Sequence, residues 1–373
     1  MKFHVGVIGA TGFIGSAYRD EIRQANLDAK IVALCARNRD RLEAAAREDN
    51  CDFITDDWWQ VVEHPQVDLV IVTTPDALHY EAVMASARNG KHLVCDKPIG
   101  VNVNEAYEMQ QAYRDTKLAH FVPFWARYEA PFLRAKEIVD AGTLGEIKSI
   151  IYRWQNPRPA AMPFTWRDDA ALSAGGSIAD VGSHAYDAVR WIVGTEARRV
   201  LTHADIITPA KPNLGTIYLN DAIEWGSSHA TAESDEHRKG TTFDYATIAW
   251  EFQNGAVGSA VLSHAPILRK GLAPELELHG TLASLALDRI ASTIAIILPG
   301  QDVPKVEQVE NPGPKNRFAN YVFPALRQHM SGDVPDHPGM EDGWRVQIFT
   351  DAAALSAKRR TWVELAELDA ASD

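Results

Sequence analysis

The chain is 373 residues long, 46% hydrophobic and 23% charged, which is the composition of a folded globular protein with room for two domains, not of a disordered or fibrous one. A formal net charge of −13 argues against general nucleic-acid or anionic-membrane binding, while leaving room for a local basic pocket. The three cysteines, Cys35, Cys51 and Cys95, lack metal-ligand spacing and suit reduced thiols in the cytoplasm, and no apolar run approaches the roughly 20 residues of a membrane span.

The start of the chain runs straight into a strand-and-glycine pattern, so no signal peptide is expected. Residues 3–8 read as a short apolar strand, Gly9-Ala10-Thr11-Gly12-Phe13-Ile14-Gly15 as a turn, and the following residues to about 26 as a helix. Residues 31–35, 67–73 and 92–95 read as further strands, with helices over 39–48 and 77–89. This alternation implies βαβ crossovers and a parallel sheet. Such sheets bind dinucleotides at the carboxyl ends of the strands, with the pyrophosphate on the N-terminus of the first helix. The glycine spacing, G-x-x-G-x-x-G, is one residue longer than the dinucleotide fingerprint, and Thr11 stands where a middle glycine would admit the pyrophosphate. Gly9, Thr11, Gly12, Phe13 and Ile14 are therefore candidate nucleotide contacts.

The second strand ends in Cys35-Ala36-Arg37-Asn38-Arg39. It offers no acid to a ribose 2′-hydroxyl, and Arg37 suits a 2′-phosphate, which favours NADP over NAD. Two other strand ends face the crevice, Thr73-Thr74-Pro75 with His79, and Asp96-Lys97-Pro98. A lysine at a strand's carboxyl end is placed for proton transfer, and the proline stops further pairing.

Beyond residue 125 a helix is expected over 129–140 and half-buried strands over 147–155, 243–252 and 256–264. In the strand over 243–252, Tyr245, Thr247 and Ala249 alternate with Ala246, Ile248 and Trp250, so neither face is strongly polar. An open sheet face of that kind predicts cover by another subunit, in a homodimer or homotetramer. Between these strands, Ala174 to Gly194 reads as a helix that starts after Gly175-Gly176 and stops at a glycine. On it Asp180 and His184 stand four apart, so their Cβ atoms lie roughly 5–6 Å from each other. A carboxylate beside an imidazole raises the ring's basicity and fixes its tautomer. Residues 207–240, rich in Pro, Asn, Gly and Ser, read as a long insertion bordering the cleft. His203, His229, His237, His264 and His329 lack metal-ligand spacing and are expected to be structural or solvated, and no metal site is expected.

Taken together, Gly9 to Gly15, Thr74-Pro75 with His79, Asp96-Lys97-Pro98, Trp166-Arg167 and Gly175-Gly176-Ser-x-x-Asp180-x-Gly182-x-His184-x-x-Asp187 resemble the Gfo/Idh/MocA family, the glucose–fructose oxidoreductase and inositol dehydrogenase group. The resemblance covers nearly the whole chain. It implies an N-terminal Rossmann domain over 1–124 and a C-terminal α/β domain over 125–373, built on an open, mostly antiparallel sheet, with the last helix packing back on the first domain. By the same resemblance Lys97 is the catalytic lysine and Asp180 with His184 the proton-relay pair. Thr74, Pro75, His79, Asp96, Trp166 and Arg167 join the nucleotide contacts. Trp125, Arg127, Tyr128, Asn156 and Arg158 join Lys97, Asp180 and His184 as substrate contacts. Three features depart from the family pattern: the longer glycine loop, Asp96 in place of the commoner glutamate, and Trp125-Ala126-Arg127-Tyr128 where many relatives carry paired arginines.

The expected activity is NAD(P)-dependent hydride transfer at a ring hydroxyl or ketone of a sugar, glycoside or cyclic polyol. Two alternatives share the fold: a redox-neutral NAD-dependent glycoside hydrolase and a non-catalytic nucleotide-sensing regulator. A short-chain dehydrogenase is excluded, because Tyr113-Arg-Asp-Thr-Lys117 follows the Asp-Lys-Pro strand end on a helix facing away from the crevice, and no serine stands about a dozen residues ahead of it.

Overall fold

The computed structural model describes residues 2–229, 236–311, 316–332 and 336–369. The first unit runs β1 (Phe3–Ile8), α1 (Phe13–Gln24), β2 (Ala29–Cys35), α2 (Arg39–Asp49), β3 (Phe53–Thr55), α3 (Trp58–Glu63), β4 (Leu69–Val72), α4 (His79–Arg88), β5 (His92–Cys95), α5 (Val103–Arg114) and β6 (His120–Phe121). Its six strands form a sheet in the order β3-β2-β1-β4-β5-β6, every pair parallel. The composition of β4 shows why: Leu69-Val-Ile-Val is buried throughout, as a strand covered by helices on both faces must be. The sequence reading missed β3 and α3, a three-residue strand and a six-residue helix whose N-cap, Asp57, accepts from the Trp59 amide. Strand order reverses between β1 and β4, which opens a crevice beyond their carboxyl ends.

The second unit adds α6 (Ala130–Asp140), β7 (Ile147–Gln155), α7 (Ser177–Val193), β8 (Ala197–Asp205), β9 (Lys211–Pro212), α8 (Leu219–Ser228), β10 (His237–Arg238), β11 (Tyr245–Phe252), β12 (Val257–Ser263), β13 (Leu276–Gly280), β14 (Ser284–Asp288), β15 (Thr293–Ile297) and β16 (Lys305–Gln308). It is closed by α9 (Phe323–Met330), α10 (Met340–Arg359) and β17 (Val363–Glu364). The nine-stranded sheet has the order β16-β15-β14-β13-β7-β12-β11-β8-β17. Only the β7–β12 pair is parallel. Alternation along β11 sets its two faces: Ala246, Ile248, Trp250 and Phe252 are 2% exposed or less, while Tyr245, Thr247, Ala249 and Glu251 stay partly accessible. The buried face meets Ile178, Val181, Ala185, Val189 and Ile192 of α7 in one core cluster, where each large apolar side chain contributes about 1.5–3 kcal/mol.

The chain then returns to the first unit twice. Phe318, Val322, Ala325 and Leu326 complete the core on one face of the parallel sheet with Val5, Val7 and Phe121. Farther on, α10 lies against α5, where Glu341 accepts from Gln110 Nε2 at 2.9 Å and Asp351 from the Val103 amide at 2.7 Å. Both returns brace the two units against each other, which fixes the cleft between them.

Candidate active site

Despite its longer spacing, the glycine turn keeps the tight backbone geometry of a dinucleotide turn. Gly9 has φ +85°, and a Cβ on Gly15 would stand 2.2 Å from the Gly9 carbonyl oxygen, so the turn packs against the first turn of α1 with no room for a side chain. Gly12 caps α1 without a side-chain bond, and no acid occupies the first turn, which leaves the first amides of α1 for an anion. Thr73 Oγ1 donates to the Ile8 carbonyl at 3.0 Å and holds the ends of β1 and β4 together. Phe13 opens the helix half-exposed, and Ile14 packs into the first core. At the end of β2 Arg37 is exposed, Asn38 caps α2 by accepting from the Arg41 amide, and Arg39 pairs with Glu43.

His79 departs from expectation. It is 1% exposed, with Nδ1 3.0 Å from the Pro98 carbonyl and Nε2 2.9 Å from that of Thr74. The ring thus sits between the segments after β4 and β5, with a carbonyl oxygen facing each nitrogen. Its place is behind the crevice wall, not on it.

Lys97 leaves β5 nearly buried and donates from Nζ to Asp180 Oδ1 at 2.6 Å and to the Asp180 carbonyl at 3.1 Å. The other carboxylate oxygen of Asp180 has three cationic or imidazole neighbours: His264 Nε2 at 3.0 Å, Arg158 Nη2 at 3.3 Å and Arg167 Nε at 3.4 Å. Burial alone would raise the Asp180 pKa, but Lys97, Arg167 and His264 outweigh it and hold the carboxyl well below its ordinary range. Arg158 is pressed the other way, its pKa lowered chiefly by burial. Asp76 completes the inner wall: it accepts from the Ala174 amide at 2.9 Å, and burial raises its pKa.

The expected Asp180–His184 couple is not formed. Both Asp180 oxygens are engaged elsewhere, and His184 Nδ1 is buried without a hydrogen-bond partner. The imidazole instead lies on Trp154, ring centroids 5.4 Å apart, with its edge toward Phe124. Burial, reinforced by the Lys97 charge, pushes its pKa well below the usual histidine value and favours the neutral ring. The carboxylate partner on this helix belongs to Lys97, because lysine and two arginines reach the carboxylate that helical spacing alone assigned to histidine.

His264 was expected to be structural or solvated, yet it stands at the centre of the cluster. It directly follows β12 beside the end of β7, where Asn156 donates its amide to the Ser263 carbonyl and Arg158 donates its own to that of His264. The parallel pairing of Gln155 with Ser263 sets this neighbourhood, a register that sequence periodicity does not contain. Two adjoining cavities meet at this point. The inner one is lined by Asp76, Lys97, Trp166, Asp180 and His264, and the outer one by Arg158, Thr208, Lys211, Thr242 and His264, with Arg167 shared.

Trp125, Arg127 and Tyr128 line neither cavity. Arg127 makes a bidentate pair with Asp187, at 2.6 and 2.8 Å, and a further bond to Asp342 at 2.6 Å, which locks a short turn to α7 and α10. Trp125 lies under the Arg317 guanidinium at 4.7 Å, and Tyr128 stacks on Tyr321 at 4.5 Å. These three side chains serve the junction between the units and do not line the cavities where a substrate contact was expected of them.

The first 124 residues match, over 3–124, a family model described as an oxidoreductase family with an NAD-binding Rossmann fold. Residues 132–286 match the GFO/IDH/MocA C-terminal domain. The levoglucosan dehydrogenase of Pseudarthrobacter phenanthrenivorans is 25% identical over 99% of this chain and 100% of its own. The myo-inositol 2-dehydrogenase of Thermotoga maritima is 25% identical over 98% of this chain and 99% of its own. Among solved structures, a levoglucosan dehydrogenase in complex with NADH and L-sorbose superposes with a TM-score of 0.80 at 23% identity, over 99% of this chain and 100% of its own. An oxidoreductase domain protein from Kribbella flavida reaches 0.82 at 23% identity, over 98% and 99%. With its parallel dinucleotide sheet, its open antiparallel sheet and both family domains matched in order, the chain belongs to the Gfo/Idh/MocA family of oxidoreductases.

Proposed function

We propose that the chain is an NAD(P)-dependent dehydrogenase acting at a ring hydroxyl or ketone of a sugar, glycoside or cyclic polyol. The observation that carries this reading is the Lys97 ammonium, fixed by Asp180 at the carboxyl end of β5 in the same crevice as the glycine turn. The nicotinamide, when bound, supplies the site that gives or accepts a hydride. Lys97 Nζ is the proton donor and acceptor for the reacting oxygen. Asp180 holds Nζ in place and, with His264, keeps the lysine charge from being stranded among the arginines. His184, held neutral by burial and the Lys97 charge, takes part through a hydrogen bond at Nδ1 and does not store the proton. Asp96, Thr74 and Pro75, just beyond β5 and β4, are assigned to the nucleotide side with Trp166 and Arg167 of the inner cavity; Arg158 of the outer cavity, and Asn156 two residues before it, are assigned to the substrate side. Levoglucosan and myo-inositol, named for relatives, head a panel of pyranosides and cyclic polyols to be assayed with both NAD and NADP. Net reduction of free cofactor by at least one ring substrate is expected. Bound nucleotide without net turnover on any of them would favour the hydrolase or the sensor.

The cofactor preference we assign is NADP, on the strength of Arg37 and the absence of an acid at the end of β2. Arg37→Asp should weaken NADP binding about tenfold or more, the worth of a charge-assisted hydrogen bond to a 2′-phosphate, and move preference toward NAD. Equal wild-type affinity for the two cofactors, unmoved by the substitution, would make Arg37 a surface residue. The open sheet face supports a homodimer or homotetramer, since Ile151, Val261 and Ala249 lie on it partly exposed. Light scattering at micromolar concentration should report that assembly; a monomer would contradict it. Three unpaired, buried cysteines support a cytoplasmic setting.

A further inference from the structure

The stretch after β8 reads from sequence as an insertion of unassigned role. In the structure it leaves the sheet, passes the outer cavity with Thr208 and Lys211 on its wall, and enters α8. One side of α8 is anchored to that wall, where Leu219 and Ala222 pack on Met162 in a small apolar cluster. A Cβ on Gly226 would stand 2.6 Å from Met162 Cα, so the helix sits directly on the backbone there.

The start of α8 reaches the other unit. Tyr218 Oη lies 3.1 Å from Thr11 Oγ1 in the glycine turn. Its ring faces the Arg41 guanidinium at 4.2 Å from the centroid, and Arg41 Nη2 donates to Asp221 Oδ2 at 2.5 Å. Thr11 belongs to the turn that follows β1, and Arg41 to the first turn of α2, just beyond the end of β2. In a sheet of this order the segments just beyond β1 and β2 hold the pyrophosphate and the adenosine ribose. Polar contacts made across 207 and 180 residues of sequence therefore converge on the two strand ends where this kind of sheet takes the adenosine half of a dinucleotide.

We propose that Tyr218 is a nucleotide-binding residue and that residues 211–228 form a strap over the adenosine half of the cofactor, latched by the Arg41–Asp221 pair. The proposal rests on the reading of this crevice as a dinucleotide site. The Tyr218 hydroxyl is a donor suited to a phosphate oxygen, and Arg41 keeps N–H groups beyond the one given to Asp221 for the ribose or its 2′-phosphate. The latch is weak: Arg41 and Asp221 are 44% and 40% exposed, and pairs of that exposure contribute little on their own. A weak latch is what an opening strap needs. Because the same segment walls the outer cavity, a sugar bound there favours the closed strap and slows exchange of the nucleotide beneath it.

The test is the release rate of NADH and NADPH from the full-length protein, followed by nucleotide fluorescence in a chase experiment without sugar. Tyr218→Ala should release about tenfold faster, as one lost charge-assisted bond implies, and Asp221→Ala should do so by a smaller factor. Tyr218→Phe, which removes only the hydroxyl, keeps the test decisive should the alanine variant fold poorly, and it should also release faster. Adding the alcohol form of a ring substrate, which cannot oxidise the bound NADH or NADPH, should slow release in the wild type more than in Tyr218→Ala. Wild-type release rates in both Tyr218→Phe and Asp221→Ala would overturn the strap. If release quickens yet no ring substrate is turned over, the strap stands and the dehydrogenase reading falls.

Discussion

Replacing Lys97 with methionine lowers kcat by about 10²–10⁴, the usual cost of losing a positioned acid–base group, and leaves nucleotide binding largely intact. Methionine keeps most of the side-chain volume at a nearly buried position, so packing against the end of β5 survives. Asp180 is not stranded by the change, because His264, Arg158 and Arg167 remain within 3.0–3.4 Å of its other oxygen. The glycine turn and the first turn of α1 are built from other segments and do not depend on Lys97. Steady-state kinetics beside a fluorescence titration with NADPH separates the two effects. Full kcat with an unchanged pH profile would remove Lys97 from the proton transfer.

Asp180→Ala should be more damaging, because it acts on stability and turnover together. The substitution leaves Lys97, Arg158 and Arg167, all largely buried, without the carboxylate they share. Removing one partner of a buried ionic cluster costs about 3–5 kcal/mol, since the remaining charges stay desolvated and unpaired. The Lys97 ammonium also loses its hydrogen bond to the carboxylate, although the bond to the backbone carbonyl at residue 180 persists. Asp180→Asn separates the contributions, as it preserves shape and removes charge. Thermal melting should show a large loss in the alanine variant, with turnover falling at least as far as in Lys97→Met. An Asp180→Ala protein as stable and as active as the wild type would show that the cluster is incidental.

How much of this was legible in the sequence follows from the range of the interactions involved. The parallel sheet, α7 with its glycine boundaries, Lys97 and Asp180 depend on local periodicity and turn chemistry, which a single chain displays. Partner choice does not. Spacing of four residues says that Asp180 and His184 can meet; it does not say that Lys97, 83 residues away, will take the carboxylate first. The family resemblance assigns Arg127 to substrate, and no local pattern corrects it, because its partners, Asp187 and Asp342, stand 60 and 215 residues away. His264 was passed over because its role comes from the parallel register of β7 and β12. In contrast, α8 was readable in principle: Leu219, Ala222, Ile223 and Gly226 recur at helical spacing inside a stretch whose Pro, Asn and Gly content suggested a loop.

The measurement that most directly tests the central claim uses reduced cofactor carrying deuterium at nicotinamide C4, with the ketone of whichever ring substrate the panel identifies. The label is expected on a ring carbon of the alcohol product, its appearance slowed about 10²-fold or more in Lys97→Met, with free oxidised cofactor accumulating in step with product. Label confined to an open-chain carbon, acyclic aldehydes reduced far more efficiently than any ring ketone, or label transfer as fast in Lys97→Met as in the wild type would contradict the claim.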